Sequence, residues 1–227
     1  MFKFRQLQKF GQHARLPSVE KYWVFWRDNM KYDLNKKPTR GAVRTLDAFA
    51  QTMFSLLQEK PFEDISVNEI SNVSNFPRAT FYNYFDDKYD LANYCWYVLS
   101  QEIHLEEYLK FSPDELIDVY FDRLFDLLSE KEELLDGIKK YNSMDGLLIN
   151  SFLNYFKDLV RKIAEEFSNN YDNDVPPELV ADHYCNTILL VLEWIFLRNN
   201  PVDKAKAHKY LSSLLNNNQL REKNVKE

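Results

Sequence analysis

"SVNEISNVSNFPRATFYNYFDDK", residues 66–88, contains a helix start, a break and a second start in quick succession. Ser66 and Glu69 make a Ser-x-x-Glu capping box, and Ile65 and Ile70 stand where a hydrophobic staple would hold the same entry. A helix is therefore predicted from Ser66. It offers Ile70 and Val73 as its apolar residues, and the polar run "SNVSN" interrupts it near residues 73–75. Pro77 suits the first turn of a following helix, where its missing N–H costs nothing, so a second helix is predicted over about Phe76–Tyr82. There Phe81 and Phe85 can turn inward, leaving Arg78, Thr80, Tyr82, Asn83 and Tyr84 outside.

Upstream, Val43, Leu46, Ala50, Met53 and Leu57 recur at the three-and-four spacing of one buried helical face. Thr39 caps this helix, Arg40 and Arg44 ride its exposed side, and Pro61 in "EKPF" forces its end. A longer helix followed by two short ones joined by a tight turn has the dimensions of a helix-turn-helix, whose second helix enters the DNA major groove. Arg suits guanine, Thr a hydrogen bond or a thymine methyl, and Tyr a phosphate. An amphipathic hairpin with ordinary surface polarity fits the same pattern.

Composition agrees with a helical protein. Gly is scarce at 4 and Pro modest at 8, while 45% of the 227 residues are hydrophobic, so the expected class is all-α with a substantial core. The net charge of -6 is unevenly spread: residues 1–45 hold 11 Lys or Arg against 3 Asp or Glu. A cationic front on an acidic body suits a polyanion approached from one side, and a solvated charged tail is the competing reading. The apolar run "TILLVLEWIFL", 187–197, is shorter than a bilayer crossing and includes Glu193, and the N-terminus lacks a secretory pattern, so a cytoplasmic protein without a membrane partner is expected. Cys95 and Cys185 lie in apolar patterns as buried thiols. His183, Cys185, His104 and His208 lack metal-ligand spacing, and no phosphate loop, nucleophile elbow or cofactor motif occurs, so neither a metal, a cofactor nor an enzyme activity is indicated.

The segment from Thr39 to about Leu91, with "EKPFEDISVNEIS", "RATFYNYF" and "DKYDL", resembles the DNA-binding domain of the TetR/AcrR family of bacterial transcriptional regulators. The resemblance implies a recognition helix carrying Arg78, Ala79, Thr80 and Tyr82, with Ser66 and Asn68 near the DNA backbone and Lys88 reaching a phosphate. Arg40, Arg44 and Asn83 complete the expected DNA-contacting set. Two departures stand out: "SNF" replaces the usual small-Gly-aliphatic turn, and Ala79 stands where Gly is frequent. The expected organisation is an N-terminal extension (1–38), a helix-turn-helix domain (39–88), a helical effector-binding and dimerisation domain (89–216) and a frayed tail (217–227).

The body should contain helices at about 87–109, 113–129, 146–168, 177–199 and 202–216, with an irregular piece near 131–142. "YCNTILLVLEWIFLRNN" is apolar on nearly every side, which calls for a partner subunit or burial within one chain. The resemblance favours a homodimer through the last two helices, with Ile188, Val191, Trp194, Ile195, Tyr210 and Leu214 at the interface. Aromatic residues crowd the body helices, and Tyr94, Tyr97, Tyr120, Phe125, Phe152 and Tyr155 are candidates for a small-molecule effector pocket, although any core looks the same. The implied function is that of a ligand-responsive repressor on a palindromic double-stranded DNA operator; a same-fold protein that recruits another protein and uses DNA as an anchor is the alternative. In the extension, "SVEKYWVFWRDNMKYDL" could form an aromatic helix capped by Ser18, with Trp23, Phe25 and Trp26 needing cover. Lys31, Lys36, Lys37 and Arg40 could extend a basic arm toward the minor groove; the competing reading takes Met30, where the resemblance implies many such regulators begin, as the start, with residues 1–29 as an extension.

Overall fold

The computed structural model describes residues 30–34, 37–104, 107, 110–111, 113–168 and 175–215, and among them the regular structure is helical. The expectations for Ser18, Trp23, Phe25, Trp26, Lys36 and the tail 217–227 lie outside the described residues.

Helix α1 (Arg40–Leu57) starts where Thr39 accepts the Ala42 N–H at 3.1 Å. Leu46, Ala50, Met53 and Leu57 are buried along it as the spacing predicts, with Phe49 buried beside them and Val43 only half-buried. A 3-10 turn (Phe62–Asp64) follows Pro61 and leads into α2 (Val67–Val73). Ser66 caps α2 by accepting the Glu69 N–H, while the Glu69 carboxylate pairs with Lys60. Ile65 and Ile70 are both buried, as a staple requires. Val73 departs from expectation at 57% exposed. The inward stripe of α2 is instead Val67, Ile70 and Ser71, which leaves Val73 on the far side.

Helix α3 (Arg78–Tyr84) begins two residues later than predicted. Pro77 is its N-cap, with extended backbone (φ -60°, ψ 147°), rather than a first-turn residue. The delay comes from the turn before it. Asn75 adopts the left-handed region at φ 60° and donates to the Asn72 carbonyl (3.3 Å), and Phe76 donates back to the Ser71 carbonyl (3.0 Å). These two bonds are a Schellman close to α2, with Asn in the position glycine usually takes. Neither seven-residue helix could hold itself. Phe81 and Phe85 lie edge-on to Phe49, with centroids 5.3 and 6.0 Å away, and Phe76 packs 5.5 Å from the same ring.

Helix α4 (Lys88–Gln101) starts on Asp87, whose carboxylate accepts the Tyr89 and Asp90 N–H groups. It stops eight residues short of the expected 109: His104 turns left-handed at φ 52°, and Arg123 takes the carbonyls of Ile103 and His104. Helix α5 (Pro113–Glu130) is as predicted. The expected irregular piece is a regular helix, α6 (Glu132–Tyr141). Leu134 and Ile138 bury one side, and Glu132/Glu133 and Lys139/Lys140 match the two ends of the helix dipole.

Helices α7 (Leu147–Ser168) and α8 (Pro177–Leu192) pack antiparallel, shown by the Arg161–Asp182 ion pair and the Cys185 Sγ–Lys157 carbonyl contact. α8 ends in a π turn (Glu193–Leu197), and α9 (Lys204–Leu215) closes the fold. The stretch Glu178–Leu197 is long and apolar enough to cross a bilayer by length and composition, so the shorter run judged from the sequence understates it. Its inner side, including Cys185, Ile188, Val191 and Leu192, is nevertheless taken up by the rest of the chain. One buried cluster runs unbroken from Met30 and Leu46 to Leu211.

Candidate nucleic-acid interface and its coupling to the body

The outer face of α3 is built by what lies beneath it. With Phe81 and Phe85 buried, Arg78, Ala79, Tyr82 and Asn83 are left exposed, and Thr80 half-buried. Arg78 and Tyr82 stand one turn apart: the guanidinium donates to the Tyr82 hydroxyl at 3.3 Å and sits 5.7 Å from its ring. Their polar ends are thus presented as a pair. Tyr84 turns aside to pack on Tyr32 and Phe85. Ser66 and Asn68 are exposed at the start of α2, and Arg40 and Arg44 on α1.

Lys88 departs from expectation. Instead of projecting outward, its ammonium donates to the carbonyls of Phe62 (2.8 Å), Glu63 (2.8 Å) and Ile65 (3.0 Å), and lies over the Phe62 ring. An ammonium has three donors, and three carbonyls take them. Burial pushes the Lys88 pKa down, while nearby Glu63, Asp64 and Asp87 oppose the shift. The residue ties the N-terminus of α4 to the turn entering α2.

The same turn is held from the body by Asn142, which the sequence reading passed over. Its buried amide accepts the Phe62 N–H at 2.9 Å and donates to the carbonyls of Ile138 (2.9 Å) and Leu57 (3.4 Å). Gly137 makes this approach possible: a Cβ there would lie 2.6 Å from Gln58 Cγ. A glycine alone inside a helical pattern was the available signal. At its outer edge α6 grips the end of α8, with Lys139 Nζ donating to the Phe196 carbonyl (2.7 Å) and Asn199 Oδ1 (2.6 Å).

No protein-family model matches the sequence, and no curated protein matches it. Solved structures do. The fatty acid degradation regulator FadR from Bacillus halodurans aligns with 79% of this chain and 97% of its own, at TM-score 0.54 and 16% identity. A protein assigned as a TetR-family transcriptional regulator, from Syntrophomonas wolfei, aligns with 75% of this chain and 93% of its own, at TM-score 0.50 and 18% identity. The chain has the TetR-type fold.

Within this TetR-type body the six candidate pocket residues do not share one cavity, although Tyr97 neighbours both Tyr94 and Tyr155. Tyr155 is fully buried, its hydroxyl 3.1 Å from Ser100 Oγ, and Tyr94 packs against Phe85 and Tyr32 where the head meets the body. Burial pushes the hydroxyl pKa of both upward. Tyr97 sits beside Tyr94, and Tyr120 is buried near Arg123. Phe152 lines a small apolar cavity of about 30 Å³ together with Phe54, Trp96, Leu128, Leu134 and Ile138. Phe125 lines a separate open cleft of about 810 Å³ bounded by α5, α6 and the π turn. Aromatic content marked the core; which aromatics face a void depends on packing between distant segments.

The expected interface set also divides. Ile188 and Ile195 are 2% and 4% exposed within a single chain, so a partner has nothing there to cover. Trp194 and Leu214, each 38% exposed, join Leu190, Val191 and Tyr210 around an apolar groove of about 450 Å³ between α8 and α9. Leu190 and Leu179, at 50% and 60% exposed, extend the apolar surface. The π turn explains the division: Arg198 donates to the Glu193 carbonyl five residues back, and the extra residue leaves Trp194 outside while Ile195 and Phe196 go in.

Proposed function

We propose that the protein is a sequence-specific DNA-binding regulator of transcription, acting in the cytoplasm as a homodimer on a palindromic operator, with repression released by a small-molecule effector. The observation that carries the proposal is the exposed row Arg78, Ala79, Tyr82 and Asn83 on a helix whose opposite side is fixed by Phe81 and Phe85. Each subunit would offer α3 to one half-site, about one helical turn or a multiple apart. The α8–α9 groove supports pairing of two copies, since an exposed, contiguous apolar surface is costly in water. Effector binding in the body would shift α4 and thereby the separation of the two heads; differential affinity of DNA for the two separations would provide the release. The links through Lys88 and Asn142 support this route.

Selection of bound fragments from the source genome at near-physiological salt tests the reading, comparing the native protein with the Thr80→Ala/Tyr82→Ala variant. Enrichment of one palindrome, lost in the variant, is expected. Broad binding that survives the substitutions would favour a recruiter that uses DNA as an anchor.

A further inference from the structure

A short segment upstream of α1 packs on the far end of the recognition helix. Met30 is buried in the common core. Tyr32 lies between Tyr84, the last residue of α3, and Tyr94 of α4, with ring centroids 5.7 and 6.4 Å away. Lys31 holds the same place twice: its backbone N–H donates to Asp90 Oδ2 at 3.3 Å, and its ammonium pairs with Asp86 at 2.9 Å. Asp90 is buried, and the same Oδ2 accepts the Asp86 N–H at 3.0 Å. One carboxylate oxygen therefore joins the upstream segment, the α3–α4 connection and α4.

We propose that residues 30–34 form a strap that sets the angle of the recognition helix, with Lys31 and Tyr32 as positioning residues for DNA reading. The proposal rests on the function proposed above. A seven-residue helix does not hold its own orientation. The turn at Asn75 fixes the entry to α3; Tyr32 and Lys31 bear on its exit, at Tyr84 and Asp86. Base-edge hydrogen bonds are directional, so a tilt at the exit weakens sequence reading before it weakens general attraction to phosphates. That difference separates a positioning strap from a basic arm that touches DNA directly.

The test uses the full chain carrying Tyr32→Ala, Tyr32→Phe or Lys31→Ala. Amide hydrogen exchange is followed at residues 81–86 in the free protein. Affinity is then measured at one salt concentration for the duplex that the native protein selects from a random library, and for a scrambled duplex of equal composition. Tyr32→Ala should speed exchange at 81–86 and weaken the selected duplex about tenfold, equivalent to about 1.4 kcal/mol, leaving the scrambled duplex unchanged. Tyr32→Phe, which keeps the ring, should match the native protein. Unchanged exchange would overturn the strap, and equal losses on both duplexes would make it a phosphate contact instead. Should Tyr32→Ala fail to fold, Lys31→Ala carries the test with the same direction and a smaller loss, because it removes the ion pair with Asp86 and keeps the backbone N–H to Asp90. If the native protein selects no duplex, the proposed function falls, and exchange at 81–86 still decides the strap.

Discussion

The head and the body are helical, aromatic-rich and share one core, yet they answer to different scales of sequence information. In the head, the features that start and orient the helices are set largely by residues a few positions apart: Thr39 and Ser66 as caps, Ile65 with Ile70 as a staple, Phe81 with Phe85 as one buried edge. In the body, the features that matter join segments tens of residues apart, such as Asn142 to Phe62 or Lys139 to Phe196. A face built from local signals can be read from a chain; a void or a groove belongs to several segments at once.

The contrast breaks most directly by truncating one ring in each region. Phe81→Ala removes a fully buried ring under the outer face of α3 and should cost about 3–5 kcal/mol in denaturant unfolding. Phe152→Ala, beside an existing cavity and only half-buried, should cost clearly less. Equal losses would mean that the two cores are equally tight.

Asn142→Ala sharpens the comparison, because it tests a long-range bond. It leaves the Phe62 N–H and the Leu57 carbonyl without their amide partner, at an expected cost of about 1–3 kcal/mol in the same assay. The substitution should also weaken the selected duplex, if the head needs this hold. On the reading face itself, Arg78→Ala should lose about 1–3 kcal/mol of discrimination at one base pair, measured by affinity across single-base variants of that duplex.

Much of the head was legible: the α1 face, the α2 start, the inward phenylalanines and the outward row. The start of α3 was misplaced because Asn75 takes a left-handed turn that only its side chain's tolerance hints at. Lys88 was misread for a related reason, since nothing near it in sequence announces that three carbonyls from residues 62–65 will converge on its ammonium. In the body, lengths and ends of α5 and α7 were legible from Pro113 and Gly146, whereas the aromatic candidates scattered among core, head–body contact and two separate voids. Trp194 and Ile195 are adjacent apolar residues in the sequence; within the π turn one is left outside and the other goes in.

Two smaller effects refine the local side. Asn75→Gly should stabilise the protein by a few tenths of a kcal/mol or leave it unchanged, whereas Asn75→Ala should destabilise it by about 1 kcal/mol, both seen in thermal unfolding. Asp90 gives a pH signature. Burial raises its carboxyl pKa, against the pull of the Asp86 and Lys31 N–H groups. A group raised on folding holds more protons in the native state, so its contribution favours stability at low pH and is lost as pH rises through the folded value. Unfolding followed from about pH 3 to about pH 7 should show that slope in the native protein and not in Asp90→Asn.

The buried amide of Asn142 carries one more consequence. A hydrogen bond keeps its strength over only a few tenths of an ångström, and Asn142 makes two at once to the α1–α2 connection, at Leu57 and Phe62, while a third holds its amide to Ile138 of its own helix. Such a joint behaves as a latch: it is closed or it is open, with little gain from lying between. Head movement relative to α6 should therefore come in steps, and a dose of the effector proposed above would change how many molecules have stepped, not how far each has leaned.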